Sequence, residues 1–227
     1  MPKHLLKEIE TLKRNILFLC AVVEEAVCKA VRAIEENDER LAASVIEGDS
    51  EIDRMEVELE EECLKVLALH QPVAIDLRLI VALLKINSDL ERIGDLSVNI
   101  AKEALALSPG KRMEFPGRLS EMAERTRTMV KRSLDALVNL DANLAADVRT
   151  ADKEVDAMNK ELYDHLTAQV REQPARIHSL FRLISVARHL ERIGDHATNI
   201  AEDIIYMLDG EIVRHRKAKK EPPAEES

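Results

Sequence analysis

Two copies of one acidic motif stand 100 residues apart in this chain. Residues 90–95 read Leu-Glu-Arg-Ile-Gly-Asp, and residues 190–195 repeat them unchanged. Residues four apart share one face of a helix, so each copy aligns a glutamate, an aspartate and an asparagine in one stripe. These stripes are Glu91, Asp95 and Asn99 in the first copy and Glu191, Asp195 and Asn199 in the second.

A second acidic stripe precedes the motif in each half. Its two copies lie 103 residues apart. Like charges four apart destabilise a helix by a few tenths of a kcal/mol, so duplicated pairs of this kind predict a neutralising ligand. These stripes are Asp49, Asp53 and Glu56, matched by Asp152, Asp156 and Asn159.

Carboxylate oxygens with an occasional amide oxygen are the ligands of hard or borderline cations such as Mg²⁺, Mn²⁺, iron and Ca²⁺. We therefore predict a multi-carboxylate metal site in each half of the chain. The alternative, which stays open here, is a charged helix face that pairs with Arg92 and Arg192 or with exposed lysines. The predicted ligands are Asp49, Asp53, Glu91, Asp95, Asn99, Asp152, Asp156, Glu191, Asp195 and Asn199.

Other chemistries find less support in the sequence. The chain has no Glu-x-x-His, Cys-x-x-Cys or His-Glu-x-x-His spacing and no glycine-rich phosphate loop, which are the signatures of di-iron, zinc and nucleotide sites. His189 and His196 flank the second motif, but Asp89 and Leu96 stand at the matching positions of the first. We therefore expect both histidines to be packed or solvated rather than to bind metal.

The elements that must position these stripes are helices. The 227 residues include no Trp, two Tyr and three Phe, whereas strands favour aromatic and β-branched residues. Apolar residues at three- and four-residue steps, interrupted by proline, glycine and Asn37-Asp38, predict six long helices. Their expected bounds are about 5–36, 39–69, 74–107, 118–139, 141–173 and 175–208.

Short connections make neighbouring helices antiparallel, and the repeat gives both halves the same helix order. We predict an all-α fold of two tandem three-helix bundles related by internal pseudo-symmetry. The expected division is 1–110, 111–213 and a disordered charged tail at 214–227. Asp38 is an expected N-cap and Gly210 an expected C-cap. Gly94 lies mid-helix beside the carboxylates, as does its copy, so we expect another helix or a ligand to approach there.

Charge and cysteine content narrow the class of protein. The net charge of −10 argues against general nucleic-acid binding, which needs a basic surface. Three cysteines, Cys20, Cys28 and Cys63, give no disulfide framework and suit a reducing compartment. Cys20 and Cys28 are expected in the core. No signal peptide and no apolar run of membrane-spanning length is evident, so we expect a cytoplasmic protein without membrane insertion.

With these motifs assembled, the chain resembles the PhoU family of phosphate-transport regulators. The resemblance rests on the paired Glu-Arg-Ile-Gly-Asp-x-x-x-Asn-Ile blocks at 91–100 and 191–200, and on the aspartate pairs that precede them. It covers residues 3–210 and implies two three-helix bundles with carboxylate motifs. Some members of the family hold multinuclear iron or zinc at these motifs, and others hold no metal there.

The resemblance also implies a function. It implies a non-enzymatic adaptor that negatively regulates the phosphate-starvation response and modulates phosphate uptake. The expected partners are the ATPase subunit of the phosphate ABC transporter, a sensor histidine kinase and a second copy of the chain in a homodimer. The expected cofactor is iron, zinc, manganese or magnesium, bound once per repeat in single or multinuclear form. The alternatives are a metal-independent helical scaffold and, less favoured, a carboxylate-metal enzyme.

Overall fold

The computed structural model describes residues 3–107 and 115–210, which form six long α-helices and one 3₁₀ turn. The described residues contain no strand, so the all-α prediction is confirmed. Most of the predicted break at 108–117 and the whole of the predicted tail at 214–227 lie outside the described residues. The helices are α1 (Lys3–Glu36), α2 (Glu39–His70), α3 (Ala74–Leu107), α4 (Gly117–Asn139), α5 (Ala142–Glu172) and α6 (Ile177–Asp209).

The two middle helices begin in the same way. The side chain of Asp38 accepts hydrogen bonds from the backbone N–H groups of Arg40 and Leu41 at the start of α2. Asp141 caps α5 with the same geometry. Each carboxylate accepts hydrogen bonds from N–H groups that have no partner inside the helix. Its negative charge is also attracted to the positive end of the helix dipole. The repeat therefore extends to the caps, and the N-cap prediction for Asp38 is confirmed.

The last helix differs slightly from its predicted bounds. Residues Pro174–Arg176 form a 3₁₀ turn, and α6 begins at Ile177 rather than at Ala175. Proline fixes its own φ and lacks an N–H, so it suits the first position of such a turn. At the other end, Gly210 has a φ of 74° and its N–H bonds to the carbonyl of Tyr206. The left-handed C-cap predicted at Gly210 is thus confirmed.

Each half of the chain packs as a three-helix bundle, α1–α3 in the first and α4–α6 in the second. Buried apolar residues follow one another at three- and four-residue steps along α3, at Leu83, Ile86, Leu90 and Ile93. Cys20 is buried as expected, and burial raises its pKa to about 12, whereas Cys28 is half-buried. No described helix is long and apolar enough to cross a membrane.

The halves join mainly through α3 and α6, with a smaller contact between α1 and α4, while α2 and α5 pack only within their own halves. Among the described residues, three pairs of oppositely charged or ionisable side chains cross between α3 and α6. Lys85 Nζ lies 3.1 Å from Asp203 Oδ1, Asp89 Oδ1 lies 2.7 Å from His196 Nδ1, and Glu103 Oε2 lies 2.8 Å from Arg182 Nη1. Since the α3 partners rise in number as the α6 partners fall, the two helices run antiparallel.

Breaking one of these pairs is expected to lower the stability of the fold measurably. The Asp203 side chain is 2% exposed and that of Lys85 is 39% exposed. Lys85→Met removes the ammonium from a buried carboxylate, so we expect the free energy of unfolding at pH 7 to fall by about 1–3 kcal/mol. Urea unfolding followed by circular dichroism measures this change.

A matched control lies on α2. Arg54 Nη1 and Glu58 Oε1 are 2.7 Å apart, but both side chains are more than half exposed. Exposed pairs contribute about 0–1 kcal/mol, so Arg54→Met is expected to change stability by less than about 0.5 kcal/mol. Equal effects of the two substitutions would contradict a stabilising role for Lys85 between the halves.

Candidate metal centre

Three carboxylates of the second half converge on one point. Ligand oxygens of Asp152, Asp156 and Asp195 all lie within 4.8 Å of one another. Asp152 and Asp156 are one turn apart on α5, and Asp195 lies on the adjacent helix α6. Among the described residues no other trio of His, Cys, Asp or Glu side chains meets this spacing. The repeated motif and the earlier stripe therefore form one cluster in this half, which we call the second acidic cluster together with Glu191.

Gly194 lies beside the aspartates of this cluster. A Cβ atom at position 194 would lie 3.7 Å from Oδ1 of Asp152 and 3.6 Å from Cε of Met129, which are ordinary contact distances. At Gly94 a Cβ atom would lie 3.2 Å from two carbons of Ile52, which is a closer approach. The close approach expected at the motif glycines is therefore seen at Gly94 but not at its copy.

Burial and mutual repulsion raise the pKa values of carboxyl groups in this cluster. Burial first, then the charges of Asp156 and Asp195, raise the pKa of Asp152 from 3.8 to about 6, against a smaller opposing hydrogen bond from Thr198. Burial and the neighbouring aspartates also raise the pKa of Glu191, with Asp195 the largest of them. The pKa of Asp195 is raised by burial and then by Asp156, against smaller opposing effects of His196 and Arg192. Such shifts mark a site where negative charge is concentrated and only partly compensated.

The cluster fits a divalent cation. With ligand oxygens about 2.1 Å from an ion, two ligands on opposite sides are about 4.2 Å apart. Oxygens that lie within 4.8 Å of one another are therefore close to the spacing that one ion requires. None of the three aspartates has an ion pair within 4 Å among the described residues. An oxygen-only donor set suits Mg²⁺, Mn²⁺ or iron and also accepts zinc.

A cleft of about 650 Å³ lies beside the second acidic cluster and is lined by one of its members, Asp195. Its α3 wall carries Asp89, and Asp195 opens onto it from α6, so the cluster faces the junction of the two halves. The lining side chains are Lys85, Ser88 and Asp89 on α3, and Asp195, Thr198, Asn199, Glu202 and Asp203 on α6.

The matching stripes of the first half also face each other, with a different outcome. Burial and then Asp53 and Asp95 raise the pKa of Asp49, and burial and then Asp95 raise the pKa of Glu91. We call Asp49, Asp53, Glu91 and Asp95 the first acidic cluster. Its oxygens are coupled through their charges, but they do not meet the spacing of the second cluster.

A guanidinium and a nearby ammonium act on the first acidic cluster. Arg92 Nε lies 3.4 Å from Glu91 Oε2, and its Nη1 lies 3.4 Å from Asp95 Oδ2. The ammonium of Lys102 lowers the pKa of Asp49 against the effect of burial. In this half the arginine pairing left open by the sequence is therefore present.

The predicted amide ligands and the two histidines take different places. Asn199 Nδ2 donates to Asp89 Oδ1 over 3.2 Å, so its amide faces the cleft rather than the aspartate trio. Asn99 is half-buried. His196 pairs with the same Asp89 oxygen, and burial lowers the pKa of the half-buried His189. Both histidines are thus packed, as expected from their absence from the repeat.

Sequence reasoning missed Asp89, Thr198, Glu202 and Lys102. Thr198 and Glu202 stand three and seven residues after Asp195, so they continue its helix face. Lys102 holds the matching position after Asp95. Lys102 and Glu202 could have been found from the sequence, because the halves differ in charge at this position and it lies on the face of the repeated motif.

The two motif glycines give a prediction about stability. Glycine inside a helix costs about 1 kcal/mol relative to alanine. At Gly194 an added methyl makes ordinary contacts, so Gly194→Ala is expected to stabilise the metal-free protein by about 0.5–1 kcal/mol. At Gly94 the same methyl would lie 3.2 Å from two carbons of Ile52, which offsets the gain. Thermal unfolding of both variants checks this, and a larger gain at Gly94 would contradict it.

Known proteins match this chain over both halves. The family model described as the PhoU domain matches twice, over residues 16–104 and 119–204. A phosphate-specific transport system accessory protein PhoU homolog of Aquifex aeolicus is 40% identical over 216 residues, covering 95% of this chain and 98% of that protein. The corresponding homolog of Pseudomonas putida is 39% identical, covering 94% of this chain and 84% of that protein.

Solved structures agree with these matches. The crystal structure of PhoU from Pseudomonas aeruginosa has a TM-score of 0.87 at 38% identity and covers 90% of this chain and 99% of that one. The phosphate transport system regulatory protein PhoU from Streptococcus pneumoniae has a TM-score of 0.85 at 28% identity, with 92% and 99% coverage. The likeness therefore extends through both halves.

Proposed function

Because this chain belongs to the PhoU family, we propose that it is an accessory protein of phosphate-specific transport which binds metal and acts as a cytoplasmic adaptor. The adaptor negatively regulates the phosphate-starvation response and modulates phosphate uptake. It does so by linking the ATPase subunit of the phosphate ABC transporter to a sensor histidine kinase. It is not an enzyme, and its working form is a homodimer.

The observation that supports metal binding is the convergence of Asp152, Asp156 and Asp195 within 4.8 Å. The residues that would hold the ion are these aspartates and Glu191, with the first acidic cluster as the second location. A bound divalent cation supplies positive charge that relieves the repulsion among these carboxylates. Because the ligands come from both α5 and α6, ion binding holds the two helices at a fixed distance.

The adaptor role is supported by the extent of the family likeness. The two family matches cover most of both halves, and accessory proteins of phosphate-specific transport match more than 90% of this chain. The composition supports a protein that works through contacts with other proteins, since its acidic balance disfavours nucleic acid.

Metal content tests the first part of the proposal. Purified protein, stripped with a chelator and dialysed against Mn²⁺, Zn²⁺ or Fe²⁺, is expected to retain at least one ion per chain by elemental analysis. Asp152→Asn combined with Asp195→Asn is expected to lose most of that ion because it removes two of three converging charges. Arg54→Met serves as a matched control on the exposed face of α2. Unchanged retention in the double variant would refute this assignment.

A separate experiment tests the adaptor role. Deletion of the gene is expected to derepress phosphate-starvation genes in phosphate-rich medium, and a plasmid copy is expected to restore repression. Immobilised protein is expected to capture the purified transporter ATPase and the kinase. Normal repression in the deletion strain would overturn the regulatory proposal without affecting the metal result.

One observation favours the metal-independent scaffold as the second candidate. Arg92 already neutralises part of the first acidic cluster from within the chain. A scaffold of this kind would restore repression in the deletion strain when both acidic clusters carry asparagine. The metal-binding adaptor would fail to do so, so the same complementation assay separates the two candidates.

A further inference from the structure

We propose that the two acidic clusters are unequal: the second takes up a divalent cation first, whereas Arg92 serves the first cluster as a built-in counter-ion. The inference rests on the proposed metal binding and concerns the order in which the clusters fill. The repeated sequence predicts one site per half and leaves their relative affinity open, since Glu56 in the first half is matched by Asn159 in the second.

The geometry differs between the halves although the motif is identical. The second cluster has three oxygens within 4.8 Å of one another, and the first cluster does not meet this spacing. The difference begins at the glycines. At position 94 the nearest neighbours of an added Cβ would be carbons of Ile52, whereas at position 194 they would be the end of Met129 and an oxygen of Asp152. The α2–α3 contact at this level is therefore apolar, and the α5–α6 contact presents a ligand.

The cations differ as well. Arg92 lies 3.4 Å from carboxylate oxygens of both Glu91 and Asp95. Its copy Arg192 has no ion pair within 4 Å of Glu191 or Asp195 among the described residues. A cation that enters the first cluster must displace a guanidinium from two of its ligands, while the second cluster offers its aspartates without that step.

Positions outside the strict repeat reinforce this order. The first half has Lys102 where the second has Glu202. In the second half Glu202 pairs with Arg149 over 3.1 Å and lines the same cleft as Asp195. At this position the first half therefore carries a cation, whereas the second half carries a carboxylate.

Titration of the full chain with Mn²⁺ tests the order, with free Mn²⁺ measured by electron paramagnetic resonance after chelator treatment. Wild-type protein is expected to show one tight class and one weaker class of sites. Asp195→Asn is expected to weaken the tight class at least tenfold. Asp95→Asn is expected to leave the tight class within twofold of wild type, because it lies in the other half.

Arg92→Gln gives an independent check. Removing the guanidinium is expected to tighten the weaker class severalfold, whereas the matched Arg192→Gln leaves the weaker class within twofold of wild type. Circular dichroism melts of all four variants identify any that fail to fold, and the two arginine variants carry the comparison if an aspartate variant does.

The outcomes separate the two proposals. Equal losses of the tight class in Asp95→Asn and Asp195→Asn, or no gain in Arg92→Gln, would overturn the unequal filling while metal binding stands. No Mn²⁺ uptake by the wild-type chain would overturn metal binding itself and the filling order with it.

Discussion

Asp152→Asn is expected to stabilise the metal-free protein while weakening its metal binding. The pKa of Asp152 is about 6 in the folded protein against an ordinary value of 3.8, a difference of about 3 kcal/mol before allowance for solvent. Because the side chain is only half-buried, we expect the free energy of unfolding at pH 7.5 to rise by about 1–2 kcal/mol. Urea unfolding in the presence of a chelator measures it.

The pH dependence of this gain follows from the direction of the pKa shift. Below about pH 4 Asp152 is protonated in both the folded and the unfolded chain, so wild type and variant should have nearly equal stability. As pH rises towards 6, the unfolded chain loses its proton first, and wild type loses stability relative to the variant. Above pH 6 the difference should be constant. A gap that grows at still higher pH would contradict this cause.

The same substitution is expected to lower Mn²⁺ affinity by at least about tenfold, since a charged ligand is replaced by a neutral one. Glu154→Gln is the matched control, because this α5 residue is exposed and pairs with Arg125 instead. Stabilisation without any loss of Mn²⁺ affinity would separate Asp152 from the metal centre and leave it as a repulsive residue alone.

Ile193→Ala is expected to cause the largest loss of stability among single substitutions at the motif. The side chain is fully buried in the core, and residue 193 lies about halfway along α6 between Arg182 and Asp203, which both pair with α3. Truncation of buried isoleucine costs about 2–5 kcal/mol because it removes apolar contacts and leaves a cavity. Equilibrium urea unfolding at pH 7 measures the change.

The control for this substitution is Leu69→Ala, at a residue of α2 that is 64% exposed. It should change the free energy of unfolding by less than about 0.5 kcal/mol. A similar small effect for Ile193→Ala would mean that the space left by truncation closes. We expect no such closure, because Leu190 and Ala197 on the same helix are also fully buried.

The helices and their bounds could largely be predicted from the sequence, because local signals determine them. Asp38 and Asp141 mark helix starts through a cap that needs only the next three residues. Six helices with correct bounds to within two residues follow from such signals and from apolar periodicity. Pro174 shifted the start of α6 because it begins a 3₁₀ turn, a choice between two local structures of similar energy.

The packing of the two halves against each other could not be predicted from the sequence. Nothing in the repeat says that α3 and α6 pack antiparallel, so the pairing of Asp89 with His196 could not be foreseen. The repeat also conceals differences, since identical motifs predict identical sites. Arg92 contacts two cluster carboxylates while Arg192 contacts neither, and that difference depends on side-chain placement rather than on residue type.

The long contact between α3 and α6 has a mechanical consequence. The α6 residues that pair with α3 run from Arg182 to Asp203, which is about 30 Å of helix. Asp195 lies within this span, so the second acidic cluster stands beside a contact that joins the halves at several levels. A rotation of one half against the other would have to break these pairs together, and we therefore expect the two halves to move as one body.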